Sequence, residues 1–223
     1  MLPKYEVIFP RPLSSTFAIG FGADNAISVQ RQLAICGRDT ETLETARALS
    51  NLGQIYCQNG ELDQANKMQN KALTIFLKVR SEKGVAQCFG ILGSINSSQG
   101  RFERAEKMLK QALAIHEKLG NEAYVARDIG NIGVVYSRRG ELDRAEEMFQ
   151  KALALNEKLG QRECMATNFG NLGSLARLRN DPHKARELWI KARDLSAKLG
   201  IAHRVKELQK RLDAFSRSGN EPS

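Results

Sequence analysis

Apolar residues recur at helical spacing in two blocks per forty residues, and the blocks keep phase along most of the chain. Between Ala126 and Met165 the first block is Ala126, Ile129, Ile132, Gly133 and Tyr136, with steps of three or four that draw one stripe along a helix. Arg139, Gly140 and Glu141 interrupt it. The second block is Leu142, Ala145, Met148, Phe149, Ala152, Leu153, Leu155 and Leu159, and it stops at Gly160. Gly133 has counterparts at Gly53, Gly93 and Gly173; Ala145 has them at Ala65, Ala105 and Ala185; Ala152 has them at Ala72, Ala112 and Ala192. A fixed period held over four copies without an insertion predicts stacked supersecondary units.

Each unit reads as a helix, a tight turn and an antiparallel second helix. First helices are expected near 42 to 58, 82 to 98, 122 to 138 and 162 to 178, and second helices near 62 to 79, 102 to 118, 142 to 158 and 182 to 198. Gly60, Gly100 and Gly140 stand where a left-handed cap would close the first helix. Lys118, Lys158 and Lys198 precede the glycines that end the second helices and suit the negative end of the helix dipole. Asp181 and Pro182 form an N-cap with proline at the first helical position. Trp189 takes the place of Phe149 and Leu109, which predicts a core residue.

The ends depart from the repeat. Pro3, Pro10, Pro12, Gly20 and Gly22 forbid a long helix, so residues 1–23 are expected to form an irregular arm. Residues 24–40 carry Ala26, Ile27, Val29, Leu33 and Ile35, a worn second helix without its first, and read as a half-repeat that caps the stack. Four repeats fill 41–200. Ile201, Val205, Leu208, Leu212 and Phe215 make one more stripe, so 201–217 is expected to be a capping helix and 218–223 a disordered tail.

Counting Ala126 as position one of its repeat, the pattern resembles the tetratricopeptide repeat, whose small residues at positions eight, twenty and twenty-seven let two helices approach closely. Tyr56 and Tyr136 match the usual tyrosine at position eleven, whereas Asn96 and Ala176 replace it, and the usual proline at position thirty-two is absent. The forty-residue length is similar to the long-repeat branch found in Pins-type G-protein-signalling modulators, with kinesin light chain a slightly longer relative. The resemblance covers Thr42 to Leu199 and implies an all-α, right-handed superhelical solenoid of antiparallel helix pairs.

Composition adds less. Cys36, Cys57, Cys88 and Cys164 form no C-x-x-C pair, which argues against a zinc site and fits buried thiols in a reducing compartment. No apolar run reaches the length of a membrane span and no signal-type core opens the chain, so a cytoplasmic protein is expected. The net charge of +9 gathers at one end, where from Arg177 to Arg217 twelve Lys and Arg stand against five Asp and Glu. Contact with nucleic acid or an acidic partner through these helices is one reading, and a solvated polar face ranks ahead of it because no aromatics interleave the charges.

Catalysis finds no support in the residues. His116, His183 and His203 have no partner at a recognisable spacing and read as exposed helix residues. The GNIG and GNLG stretches lack the strand and lysine of a phosphate loop. No enzyme activity, cofactor or metal is expected. Gly130–Asn131 and Gly170–Asn171 nevertheless place two poor helix formers side by side in a helix interior. In the family the chain resembles, positions five and six face the inner, concave wall, where an asparagine amide can hold the main chain of an extended peptide.

Asn51, Asn131 and Asn171 share position six, and Ile91 breaks the ladder. Gln54 and Ser174 follow about a turn later, and Arg47, Arg127, Arg138 and Arg177 would favour acidic side chains if they point into the same groove. The expectation is a scaffold that binds a peptide segment of a partner protein, an acidic one by preference. The alternatives are binding of nucleic acid or an acidic partner at the basic end, a self-associating array, and a sensor of a small signalling peptide like the bacterial peptide-binding repeat regulators.

Overall fold

The computed structural model describes residues 41–218 of the chain. The expected arm over 1–23, the half-repeat over 24–40 and the 218–223 tail, apart from Ser218 at the end of the last helix, lie outside the described residues. Within them there are nine helices and no strand: α1 (Leu43–Gln58), α2 (Leu62–Lys78), α3 (Glu82–Ser98), α4 (Phe102–Lys118), α5 (Glu122–Arg139), α6 (Leu142–Lys158), α7 (Arg162–Leu178), α8 (Pro182–Lys198) and α9 (Ala202–Ser218). They fall into two compact units, residues 41–121 with α1 to α4 and residues 122–218 with α5 to α9.

Each helix pair closes through the same turn. The residue after the cap takes a left-handed conformation, at Gly60, Gly100, Gly120, Gly140, Gly160 and Gly200, and the next amide reaches back five residues to a helix carbonyl. Glu61 N donates to Tyr56 O at 2.9 Å, and Gln161 N to Asn156 O at 2.8 Å. This satisfies a carbonyl that the helix end leaves without a partner. Arg80 and Asn180 occupy the two remaining turns with φ of 53° and 58°, and they make the same back-bonds through Ser81 and Asp181. The turn is therefore set by the helices that flank it, and glycine lowers its cost without being required.

Close approach of the two helices sets the interior of each pair. Ala65, Ala72, Ala105, Ala112, Ala145, Ala152, Ala185 and Ala192 have no exposed surface at all. Position eight of the first helix faces position twenty-four of the second. A methyl group on Gly53 would lie 2.8 Å from Gln69, one on Gly93 2.6 Å from Leu109, one on Gly133 2.8 Å from Phe149, and one on Gly173 2.5 Å from Trp189. Two of these side chains are polar and are satisfied by carbonyls of the facing helix: Gln69 Nε2 donates to Ser50 O at 2.7 Å and Trp189 Nε1 to Gly170 O at 3.3 Å. Gly130, one turn before Gly133, is different, because a methyl group there meets nothing closer than 3.6 Å.

In the unit of α1 to α4, Ala46, Ala72, Ile75, Phe76, Val85 and Cys88 form one apolar cluster and Ala65, Leu92 and Ile95 another. In the unit of α5 to α9, Ala176, Ala185, Trp189 and Ala192 pack with Leu208 and Leu212 of α9. That helix stands in the register of a first helix. Lys206, Gln209, Lys210 and Asp213 hold its positions one, four, five and eight, and all four are exposed. In the preceding repeat those positions are Ala166, Phe169, Gly170 and Gly173.

Cys88 is buried, Cys57 and Cys164 are half-buried, and none of the three is in a disulfide. Burial pushes their thiols up from the ordinary value of 9.0, Cys57 and Cys164 to about 11 and Cys88 to about 12. A raised folded value favours the neutral thiol, so its contribution to stability is complete below the unfolded value and disappears as pH rises through the folded one.

These observations give four expected outcomes. Gly130→Ala should stabilise by up to about 1 kcal/mol through helix propensity. Gly133→Ala, three residues on, should destabilise by up to about 2 kcal/mol, since overpacking of roughly 1–3 kcal/mol outweighs the same propensity gain. Denaturant titration of both variants reads the two signs. Arg80→Gly should stabilise by about 1 kcal/mol by relieving a left-handed side chain, and an unchanged midpoint would count against strain there. The thiols should leave thermal midpoints unaffected below pH 9 and lower them between pH 9 and 12, with a shallower fall in Cys88→Ala.

Candidate functional site

First helices run beside one another within each unit, α1 next to α3 and α5 next to α7, in closer contact than the second helices are. Their shared side is the wall on which position six lies. In the unit of α5 to α9 three asparagines of α5 and α7 gather here. Asn131 on α5 is half-buried, and Asn171 on α7 is only 3% exposed. Asn168, one turn before Asn171, lies against α5, its Oδ1 being the nearest atom to a methyl group placed on Gly130. Asn168 Nδ2 and Asn171 Oδ1 are both buried without a hydrogen-bond partner, a donor and an acceptor one helical turn apart.

The next turn of α7 is already engaged. Ser174 Oγ donates to Gly170 O at 3.0 Å and accepts from Arg211 Nη1 at 3.2 Å. Arg211 comes from α9 and also bonds Glu207 at 2.7 Å. It stands forty residues after Asn171, so it is the position-six residue of the terminal helix. Sequence reading passed over it, although running the same register one more step reaches it.

The arginines divide. Arg127 is nearly buried, with 9% of its side chain exposed, and its Nε and Nη2 both donate to Asp128 Oδ1 at 3.3 and 3.1 Å. Its guanidinium also lies 4.6 Å from the centre of the Tyr124 ring. With Asp128 fully buried beside it, Arg127 is a structural cation. Arg138 is half-buried, and loss of solvent lowers its pKa. Arg177 is exposed.

Arg47, Asn51 and Gln54 belong to the other unit, on α1, and make no side-chain hydrogen bond among the described residues. Arg47 and Asn51 are exposed and Gln54 is half-buried, as is Ile91 on α3. The residues singled out from the sequence therefore fall into two groups, Arg47, Asn51 and Gln54 in one unit and Arg127, Asn131, Arg138, Asn171, Ser174 and Arg177 in the other.

One histidine differs from expectation. His116 has no exposed surface, where the spacing alone suggested an exposed helix residue. It stands in line with Phe76, Asn156 and Ser196, which are also buried, so the register predicts a core position whatever the residue. His183 and His203 are exposed. Among the described residues no cluster of His, Cys, Asp or Glu has metal-binding geometry, and no helix is long and apolar enough to cross a membrane.

Much of the positive charge at the C-terminal end is tied within the unit. Arg179 bonds Asp143 and Glu146, Lys184 bonds Glu146 at 3.0 Å, Arg193 bonds Asp194 at 2.7 Å, and Arg204 is buried with Nη1 donating to Glu163 O at 3.1 Å. A uniform basic face for nucleic acid is not what these pairs build.

Solved structures similar to this chain share its fold. A Rap protein complexed with competence and sporulation factor has a TM-score of 0.75 and 19% identity, over 83% of this chain and 51% of that one. The Rap conjugation gene regulator of plasmid pLS20, in complex with a Phr peptide, has a TM-score of 0.76 and 16% identity, over 86% and 53%. Putative kinesin light chain repeats from Podosopora anserina give a TM-score of 0.59 and 17% identity, over 79% and 87%. The chain spans about half the length of these Rap proteins. No curated protein matches the sequence significantly. The sequence matches the tetratricopeptide repeat family over residues 44–118 and 123–198, most of its length, and the helix pairs, turns and glycine contacts described above are those such repeats require, so the chain belongs to that family.

Proposed function

We propose that the protein is a non-catalytic interaction scaffold that holds a peptide segment of a partner along the first-helix wall of α5 and α7. The observation that carries this reading is the polar strip of Asn131, Asn168 and Asn171, with a buried donor and a buried acceptor that the fold itself leaves without partners. An extended peptide offers a carbonyl and an amide at each residue, which is the complement of that pair. Arg138 and Arg177 give the preference for acidic side chains, and Arg127 does not contribute to it because Asp128 already neutralises it. The second group, Arg47, Asn51 and Gln54, offers a further contact on the unit of α1 to α4. A Rap regulator with the same fold was solved holding a Phr peptide, which supports the kind of ligand without identifying it. The unpaired thiols suit a reducing compartment such as the cytoplasm.

The partner recovered from the native cell supplies the peptide for the test. Asn131→Ala with Asn171→Ala should weaken its binding by about tenfold or more, as loss of two hydrogen bonds implies. Unchanged affinity in the double variant would place the site elsewhere.

A further inference from the structure

One ion pair recurs in the repeats. A lysine at the end of the second helix reaches a carboxylate at the start of the same repeat: Lys118 Nζ bonds Glu82 Oε1 at 2.7 Å and Lys158 Nζ bonds Glu122 Oε1 at 2.9 Å, while Lys78 bonds Glu41, one residue before the matching position, which Thr42 holds. The fourth repeat keeps the lysine as Lys198 and replaces the carboxylate with Arg162. Both side chains are exposed, and among the described residues neither forms an ion pair or a side-chain hydrogen bond. Glu163 follows Arg162, and it makes no ion pair with Lys198. Its carbonyl is taken by Arg204. Where three repeats carry a neutral clasp, the fourth presents two cations at adjoining helix ends.

We infer that the ends of α7 and α8 are a docking point for an acidic segment of a partner protein, with Arg162 and Lys198 sharing a carboxylate that the partner supplies. The other repeats show that this lysine position accepts a glutamate at hydrogen-bond distance, so the geometry already suits a carboxylate. Arginine in place of glutamate adds a second set of donors, in a planar fork that matches a carboxylate two-pronged. The fold gains nothing from the exchange, because two like charges replace an attractive pair. That cost is small at an exposed site and grows smaller with salt.

The docking point is separate from the wall of α5 and α7, and it stands or falls without it. Fluorescence anisotropy with a labelled oligoglutamate peptide, at low and at physiological salt, tests it on the full chain. Arg162→Glu should restore the internal clasp to Lys198 and weaken the peptide by about fivefold or more at low salt. Lys107→Glu makes the same change in net charge on an exposed face of α4 and should weaken it by less than about twofold. Because the wall of α5 and α7 could also take an acidic peptide, Arg162→Glu should weaken the oligoglutamate by the same factor when Asn131→Ala and Asn171→Ala are already present. Arg162→Glu should also unfold at a slightly higher temperature, which shows that the clasp has formed and that the variant is folded.

Equal losses in Arg162→Glu and Lys107→Glu would overturn the proposal and leave only net charge. Tighter binding of a single-stranded oligonucleotide, lost in Arg162→Glu as well, would overturn the choice of an acidic protein in favour of nucleic acid.

Discussion

The contact between a glycine in the first helix and a large side chain in the second is the constraint from which the rest of each repeat follows. Glycine in a helix interior costs about 1 kcal/mol against alanine. At Gly53, Gly93, Gly133 and Gly173 the cost cannot be avoided, because any side chain would enter the space of Gln69, Leu109, Phe149 or Trp189. The opposing residue grows from glutamine to tryptophan along the chain while the glycine stays constant. What varies is how the large residue meets its polar needs. Gln69 and Trp189 both reach the carbonyl at position five, on Ser50 and Gly170, so one backbone feature accommodates two unrelated side chains. Close helix approach and a carbonyl one turn from the glycine are thus a single device, and buried alanines on either side complete it.

That device is periodic, and periodic features are what a sequence displays. The helices lie within about a residue of the spans given by the forty-residue step because apolar stripe, glycine and turn all repeat together. Features that break the chemistry while keeping the geometry were not legible. Arg80 and Asn180 adopt the same left-handed turn as six glycines, since the helix ends impose it. His116 hides in a column of phenylalanine, asparagine and serine, where no apolar pattern marks the position as core and only the register does.

Among the wall residues the illegible part is of another kind. Arg127 looked available because its neighbours in sequence do not face it on an ideal helix, yet the fully buried Asp128 turns back to meet it. Arg211 lay outside the repeats as the sequence defined them, and it closes the wall by bonding Ser174. Such contacts depend on which helix stands beside which and how far a side chain bends, and neither is encoded in spacing along one chain.

Position six shows how a repeated scaffold acquires a particular site. It reads asparagine, isoleucine, asparagine, asparagine and arginine from Asn51 to Arg211, so the column is not a uniform ladder. Beside it, Gly130 bears a helix cost with no packing need, in contrast with Gly133 one turn away. Two glycines in one helix therefore answer to different constraints. Folding accounts for Gly133 through the ring of Phe149, whereas the buried Gly130 has only Asn168 Oδ1 at 3.6 Å and the Ala152 methyl at 3.8 Å before it, so close helix approach demands glycine at one position and merely permits it at the other.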